Sequence, residues 1–258
     1  MAKLLIGTSG WTYASWKGPF YPKDMPSRKY LEFYSAEFPT TEVNYSFYHL
    51  PKTSTYERWR AVVPDEFLFA VKASRFITHV KRLHDVKEAW RIFVHNASAL
   101  GTRLGPILFQ FPPSFRADQN RLRRFLEMAQ ELASRSDPFR LVCEFRHDSW
   151  FREETYRLLH QHGIALCVAD GSKYTRRDVI TADFTYIRYH GRHRMFASDY
   201  TDAELAEESG RIRRYRRDGL DVFVYFNNDA MGYAVKNARS LRALLEDQGP
   251  HRRPRRAG

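Results

Sequence analysis

The chain has little cysteine. Cys143 and Cys167 are the only two in 258 residues, too few for a disulfide framework. Both fall inside expected strands, where they read as buried, reduced thiols suited to the cytoplasm. No apolar run approaches the length of a membrane span. The N-terminus enters a strand pattern directly, without the look of a secretory leader. There is no phosphate-binding loop and no G-x-G-x-x-G fingerprint, so no nucleotide cofactor is expected. His-x-x-x-His and Cys-x-x-Cys spacings are also missing, which leaves a divalent metal as an option resting on scattered carboxylates alone. The body has no low-complexity segment and no obvious repeat.

Positive charge is plentiful, with a formal net charge of +12. Arg252, Arg253, Arg255 and Arg256 supply four of the twelve, and eight remain on the body. These four sit in a segment without apolar residues to pack, so 248–258 reads as a disordered basic tail after one domain spanning 1–247. A basic surface favours anionic partners: a small anionic ligand, or nucleic acid. Arginines coating solvated helix faces, as in Arg211–Arg217, account for the charge equally well. Neither a membrane nor an obligate protein partner is expected.

Eight short apolar runs, each ending in a polar or charged residue, form the most informative pattern. They are Lys3–Ser9, Thr41–Asn44, Phe67–Lys72, Ile107–Gln110, Leu141–Arg146, Ala165–Asp170, Phe184–His190 and Val222–Asp229. Continuous apolar runs of this length suit strands buried on both faces. Helical segments are expected at 27–38, 53–62, 85–104, 118–134, 152–162, 201–217 and 230–246. Thr201 with Glu204 has capping-box spacing, Asp118 suits an N-cap, and Gly163 and Gly219 lie near helix ends. The link 171–182 is short, with room for a turn of helix at most. Eight strands alternating with helices in a chain of this length specify a single (β/α)8 TIM-type barrel in the α/β class, whose sites lie at the C-terminal strand ends.

Period-two alternation sorts the strand-end residues by face. With these faces turned inward, the upper barrel would hold Glu42, Asn44, Lys72, Gln110, Glu144, Arg146, Asp170, Arg188, His190, Asn227 and Asp229. The same parity would turn both cysteines outward, beneath the helices. So many buried charges need partners or a ligand. A closed salt-bridge network of Lys72, Arg146 and Arg188 with Glu42, Glu144 and Asp170 is the bland alternative. The functional alternative makes Glu144, His190, Lys72 and Asp170 catalytic. Arg146, Arg188, Asn44, Gln110 and Asn227 would then bind substrate, with Glu42 and Asp229 available to a metal. Lys72 in an apolar strand also suits a lysine of lowered pKa, including one that forms a Schiff base. His79, just after strand three, reaches toward the same mouth. The loop Gly10–Pro22 carries Trp11, Tyr13 and Trp16, which either close the barrel mouth or form an aromatic platform beside the site.

The sequence resembles the YecE-like family, also called domain of unknown function 72. The resemblance rests on Ile6-Gly-Thr-Ser-Gly-Trp11, Trp16-Lys-Gly-Pro-Phe-Tyr-Pro22, Thr41-Glu-Val-Asn44 and Phe69-Ala-Val-Lys72 with Thr78-His79. It continues through Leu104-Gly-Pro-Ile-Leu-Phe-Gln-Phe-Pro-Pro113, Glu144-Phe-Arg-His147, Arg188-Tyr-His-Gly191 and Tyr225-Phe-Asn-Asn-Asp229. It runs from about Leu4 to Leu245 and implies a TIM-type barrel without implying an activity. The links after Asp170 and Gly191 are short against the family pattern. Three functions follow as expectations. The first is an enzyme acting on a small phosphorylated or carboxylated substrate. The second is a nucleic-acid-binding or processing protein, and the third a non-catalytic binding protein.

Overall fold

The computed structural model describes residues 2–131 and 139–246. The basic segment 248–258 and the last three residues of the helix expected at 118–134 lie outside the described residues.

Eight parallel strands close into a barrel in sequence order. They are β1 (Leu4–Ser9), β2 (Thr40–Val43), β3 (Leu68–Lys72), β4 (Leu104–Gln110), β5 (Leu141–Glu144), β6 (Ala165–Asp170), β7 (Phe184–Tyr189) and β8 (Asp221–Phe226). Pairing of β1 with β8, from Leu4↔Val222 to Thr8↔Phe226, completes the ring. The helices are α1 (Tyr30–Glu37), the single turn α2 (Tyr45–Tyr48), α3 (Thr53–Ala61), α4 (Lys87–Ala97), α5 (Gln119–Glu131), α6 (Glu153–Gln161), α7 (Asp202–Arg217) and α8 (Tyr233–Glu246). The expected (β/α)8 barrel is the observed one. No helix among the described residues is long and apolar enough to cross a membrane.

Local chemistry sets the helix limits. Leu122, Phe125, Leu126 and Ala129 place one apolar stripe of α5 against the strands. Thr201 and Glu204 form the expected capping box on α7. Gly163 and Gly219 follow α6 and α7 at φ of 62° and 86°, a region costly for residues with a Cβ. The helix expected at 85–104 is interrupted: α4 ends at Ala97 and 3₁₀ turns continue to Arg103, with Gly101 at φ 57°. A π-helical turn at Phe76–Val80 was not foreseen.

Each strand sends alternate side chains to two cores. Leu5, Ala70, Leu108, Val142, Phe184 and Phe223 plug the barrel interior, while Ile6, Val71, Phe109, Cys143, Val168 and Val224 pack outward. The plug fills the lower barrel and leaves the upper interior to polar groups. Strand β6 departs from the expected parity. Its Ala169 is in register with Arg188, which faces inward, so Cys167 and Ala169 face inward and Asp170 faces outward. Cys143 is turned outward as expected, and Cys167 is not. Both thiols are free and buried.

The connection 171–182 contains no helix. Thr181 anchors it to the sheet, donating to the Ile164 carbonyl at 2.6 Å and accepting from the Leu166 amide at 2.8 Å. In the aromatic loop, Trp16 and Tyr21 are fully buried. Tyr21 stacks on Tyr30 at 3.9 Å, and the Trp16 indole donates to the Asp229 carbonyl at 3.0 Å. This half of the loop is core and ties β1 to the end of β8.

Candidate functional site

Arg188, on β7, occupies the axis of the upper barrel with 1% of its side chain exposed. A guanidinium there is tolerable only if carboxylates compensate it. Its Nη2 donates to Glu42 Oε1 at 2.7 Å, and its Nη1 donates to Glu144 Oε2 at 2.6 Å. Ser9 donates to Glu42 Oε1, and the Tyr186 hydroxyl donates to Oε2 at 2.6 Å. Arg146 Nε donates to Glu144 Oε1 at 2.8 Å. Burial alone would raise both carboxyls. Arg188 with these hydrogen bonds brings Glu42 below the usual range, and Arg188 with Arg146 brings Glu144 well below it. Both are therefore fixed as carboxylates, and the arginine as a cation. Arg188 Nε has no partner among the described residues.

His190 is sealed beside this cluster with no exposed surface. Its Nδ1 is 3.0 Å from Asn227 Nδ2, its Nε2 3.4 Å from Arg188 Nη1 and 3.8 Å from Glu144 Oε1. Burial and then the Arg188 charge push its pKa down to about 4, so the ring is neutral.

Above the cluster opens a cavity of about 570 Å³ at the C-terminal ends of the strands. Nine of the residues expected at a site line it: Tyr13, Asn44, Lys72, His79, Gln110, Arg146, Arg188, Asn227 and Asp229. Phe47, Tyr48, Arg75 and Phe196 complete the wall. Sequence reasoning missed these four. Phe47, Tyr48 and Arg75 follow β2 and β3 directly, where proximity to a strand end was the available signal. Phe196 sits in the left-handed region at φ 61°, which no sequence signal indicated. Glu42, Glu144 and His190 lie beneath the cavity floor rather than on it.

Two cavity groups are brought close to neutral pH. Lys72 Nζ lies 4.0 Å over the Phe47 ring. Burial, reinforced by Arg188, lowers its pKa to about 7. Burial raises Asp229 to about 7, and its Oδ1 has no hydrogen-bond partner among the described residues. Tyr13, close by, donates instead to the Ser9 carbonyl. His79 is lowered to about 4, first by burial and then by Lys72, and its Nδ1 is 2.9 Å from Thr78 Oγ1.

The remaining expected residues are elsewhere. Trp11 is buried against Trp59 and lines a neighbouring cleft. Asp170, expected to face inward, belongs to a second ion cluster outside the barrel. Its Oδ2 accepts from Arg176 and Arg192, each at 3.0 Å, and its Oδ1 accepts from the Tyr200 hydroxyl at 2.8 Å. Glu208 of α7 accepts from the same two arginines at 2.7 and 2.9 Å. This cluster fills the space beside the helix-free 171–182 connection. A metal is poorly served by the donors present: every near oxygen of Glu42 is engaged. Among the described residues no three His, Cys, Asp or Glu side chains converge as ligands.

Known proteins share this architecture. A DUF72 family protein from Thermotoga maritima superposes with a TM-score of 0.84 at 32% identity, over 95% of this chain and 99% of that one. A DUF72 family protein from Enterococcus faecalis superposes with a TM-score of 0.81 at 18% identity, over 99% and 100% of the two chains. The UPF0759 protein YunF of Bacillus subtilis is 25% identical across 94% of this chain and 95% of its own length. The UPF0759 protein YecE of Escherichia coli is 28% identical across 65% of this chain and 59% of its own. The family model described as "Protein of unknown function DUF72" matches residues 5–257. With that match spanning the barrel and its site, the chain belongs to the DUF72 family.

Proposed function

We propose that the cavity binds a small phosphorylated or carboxylated molecule and moves protons on it. One observation carries the reading: a lysine and an aspartate, Lys72 and Asp229, line one cavity and both have pKa values brought to about 7. Groups poised near neutrality can give and take a proton at the working pH. Arg146, with one edge on Glu144, keeps further guanidinium donors for an anion, and Arg75 adds charge at the rim. Asn44, Gln110 and Asn227 offer orienting hydrogen bonds. Sequence reasoning gave acid–base work to Glu144 and His190; in this reading both support it from beneath the floor. Glu144 holds Arg146 and Arg188 in position, and neutral His190 keeps a second positive charge away from Arg188. Asp170, remote from the cavity, takes no part. The setting is cytoplasmic in this reading, in keeping with two free thiols.

Thermal unfolding against phosphorylated metabolites, sugar acids and oligonucleotides tests this. A ligand at about a hundred times its Kd stabilises by about 2.7 kcal/mol, a shift of about 5–10 °C for a chain of this size. The shift should vanish in Arg146→Ala, and turnover of the hit should vanish in Asp229→Asn. Stabilisation by oligonucleotides alone would replace the reading with nucleic-acid binding. Silence across the panel would leave a non-catalytic binding role.

A further inference from the structure

We infer that the ligand is amphiphilic, with an acidic head in the cationic cavity and an apolar or aromatic tail in the cleft beside it. The inference rests on the anion-binding reading above and extends it to substrate class. The cleft measures about 760 Å³ and shares Tyr13, Asn44 and Tyr48 with the cationic cavity. It runs between the turn leading into α1 and the last turn of α3, floored by Trp11, Leu31 and Trp59. Trp59 meets Trp11 edge-on at 5.2 Å and Tyr45 edge-on at 6.4 Å, so the aromatic walls are braced by one another. Among the described residues, no carboxylate lines the cleft. The charged members among these residues, Arg28 and Arg58, are exposed at its edge.

The surrounding surface carries unusual apolar exposure. Tyr45 is 53% exposed, Tyr48 71% and Val62 46%, and all three border the cleft. Exposed apolar groups scattered singly need no explanation, but a group of them around a braced concavity marks a binding site. A purely ionic ligand would leave this lining in water. A purely apolar ligand would leave Lys72 and the outer edge of Arg146, whose Nε is held by Glu144, unused. One molecule spanning the shared wall satisfies both.

The test uses the full chain and a series of straight-chain carboxylic acids from acetate to decanoate, with the matching alcohols, measured by calorimetry. Each methylene buried in the cleft should tighten binding about fourfold, the equivalent of about 0.8 kcal/mol. Val62→Glu places a charge in the cleft from an exposed position, sparing the core. It should flatten this dependence and leave the shortest acids unaffected. Arg146→Ala should weaken every acid equally and keep the slope. Affinity independent of chain length overturns the inference while leaving the anion reading intact. A slope that survives Val62→Glu also overturns it, by placing the tail elsewhere. Alcohols binding as tightly as acids, in wild type and Arg146→Ala alike, would overturn the acidic head and with it the anion reading.

Discussion

Asp229→Asn should stabilise the protein above neutral pH, although it removes an ionisable side chain from the proposed site. A free aspartate has a pKa of 3.8, and burial raises this one to about 7. The folded state therefore holds a proton that the unfolded chain releases between these values. Stability supplied by that proton is complete below pH 3.8 and is lost as pH rises through 7. At 1.36 kcal/mol for each tenfold change, the full ionisation penalty is about 4 kcal/mol. Asp229 keeps some exposure, and local relaxation lowers the cost further, so about 2 kcal/mol is the working expectation. Asparagine is isosteric and carries no charge to desolvate. Its advantage over wild type should be small at pH 4, grow to about 2 kcal/mol by pH 8 and then level off. That corresponds to about 4–8 °C in Tm. Thermal or urea unfolding of both proteins from pH 4 to 9 provides the assay, since the difference between them cancels groups common to both. A stability difference that stays flat with pH would refute the raised pKa, and with it the acid–base role proposed for Asp229.

Two further outcomes follow from the same electrostatics. Arg188→Met should cost about 3–5 kcal/mol in urea unfolding, because Glu42 and Glu144 would remain buried without their shared cation; a loss under about 1 kcal/mol would mean that the cluster relaxes into solvent. Lys72 loses its charge as pH rises through about 7. In an Asp229→Asn background, where the lysine alone titrates near neutrality, anion affinity should thus fall about tenfold between pH 6 and pH 8, a loss of about 1.4 kcal/mol. Calorimetry should show no such fall once Lys72→Met is added.

Strand placement was legible because both-face burial writes itself as continuous apolar runs, and all eight runs became strands. The site was legible wherever period-two alternation could be anchored. Glu144, Arg188 and Lys72 each lie two residues beyond an interior apolar neighbour, Val142, Tyr186 and Ala70. Asp170 failed because its run is apolar on both faces and gives no internal clue to parity. The deciding fact, the register of Ala169 with Arg188, is a property of barrel closure. The cluster of Arg176, Arg192 and Glu208 was invisible for a related reason. Its members come from two connections and a helix whose charges look like ordinary solvated surface. Proton affinities were also beyond reach, since His190 is neutral and Asp229 poised near 7 through burial, which residue order does not specify.

The central ion cluster has a consequence for how the barrel forms. Arg188 meets Glu42 across 146 positions of sequence and Ser9 across 179. Until β7 docks, the β2 carboxylate lacks its hydrogen-bonded cation, and a partial barrel must keep Glu42 hydrated or protonated. Hydrated, it holds the half-built interior open. The polar cluster thus penalises premature collapse and rewards ring closure in one late step, when long loops have already been closed. Slow, cooperative folding is the cost of such non-local contacts. The return is that the cavity above Arg188 exists only in a completed ring.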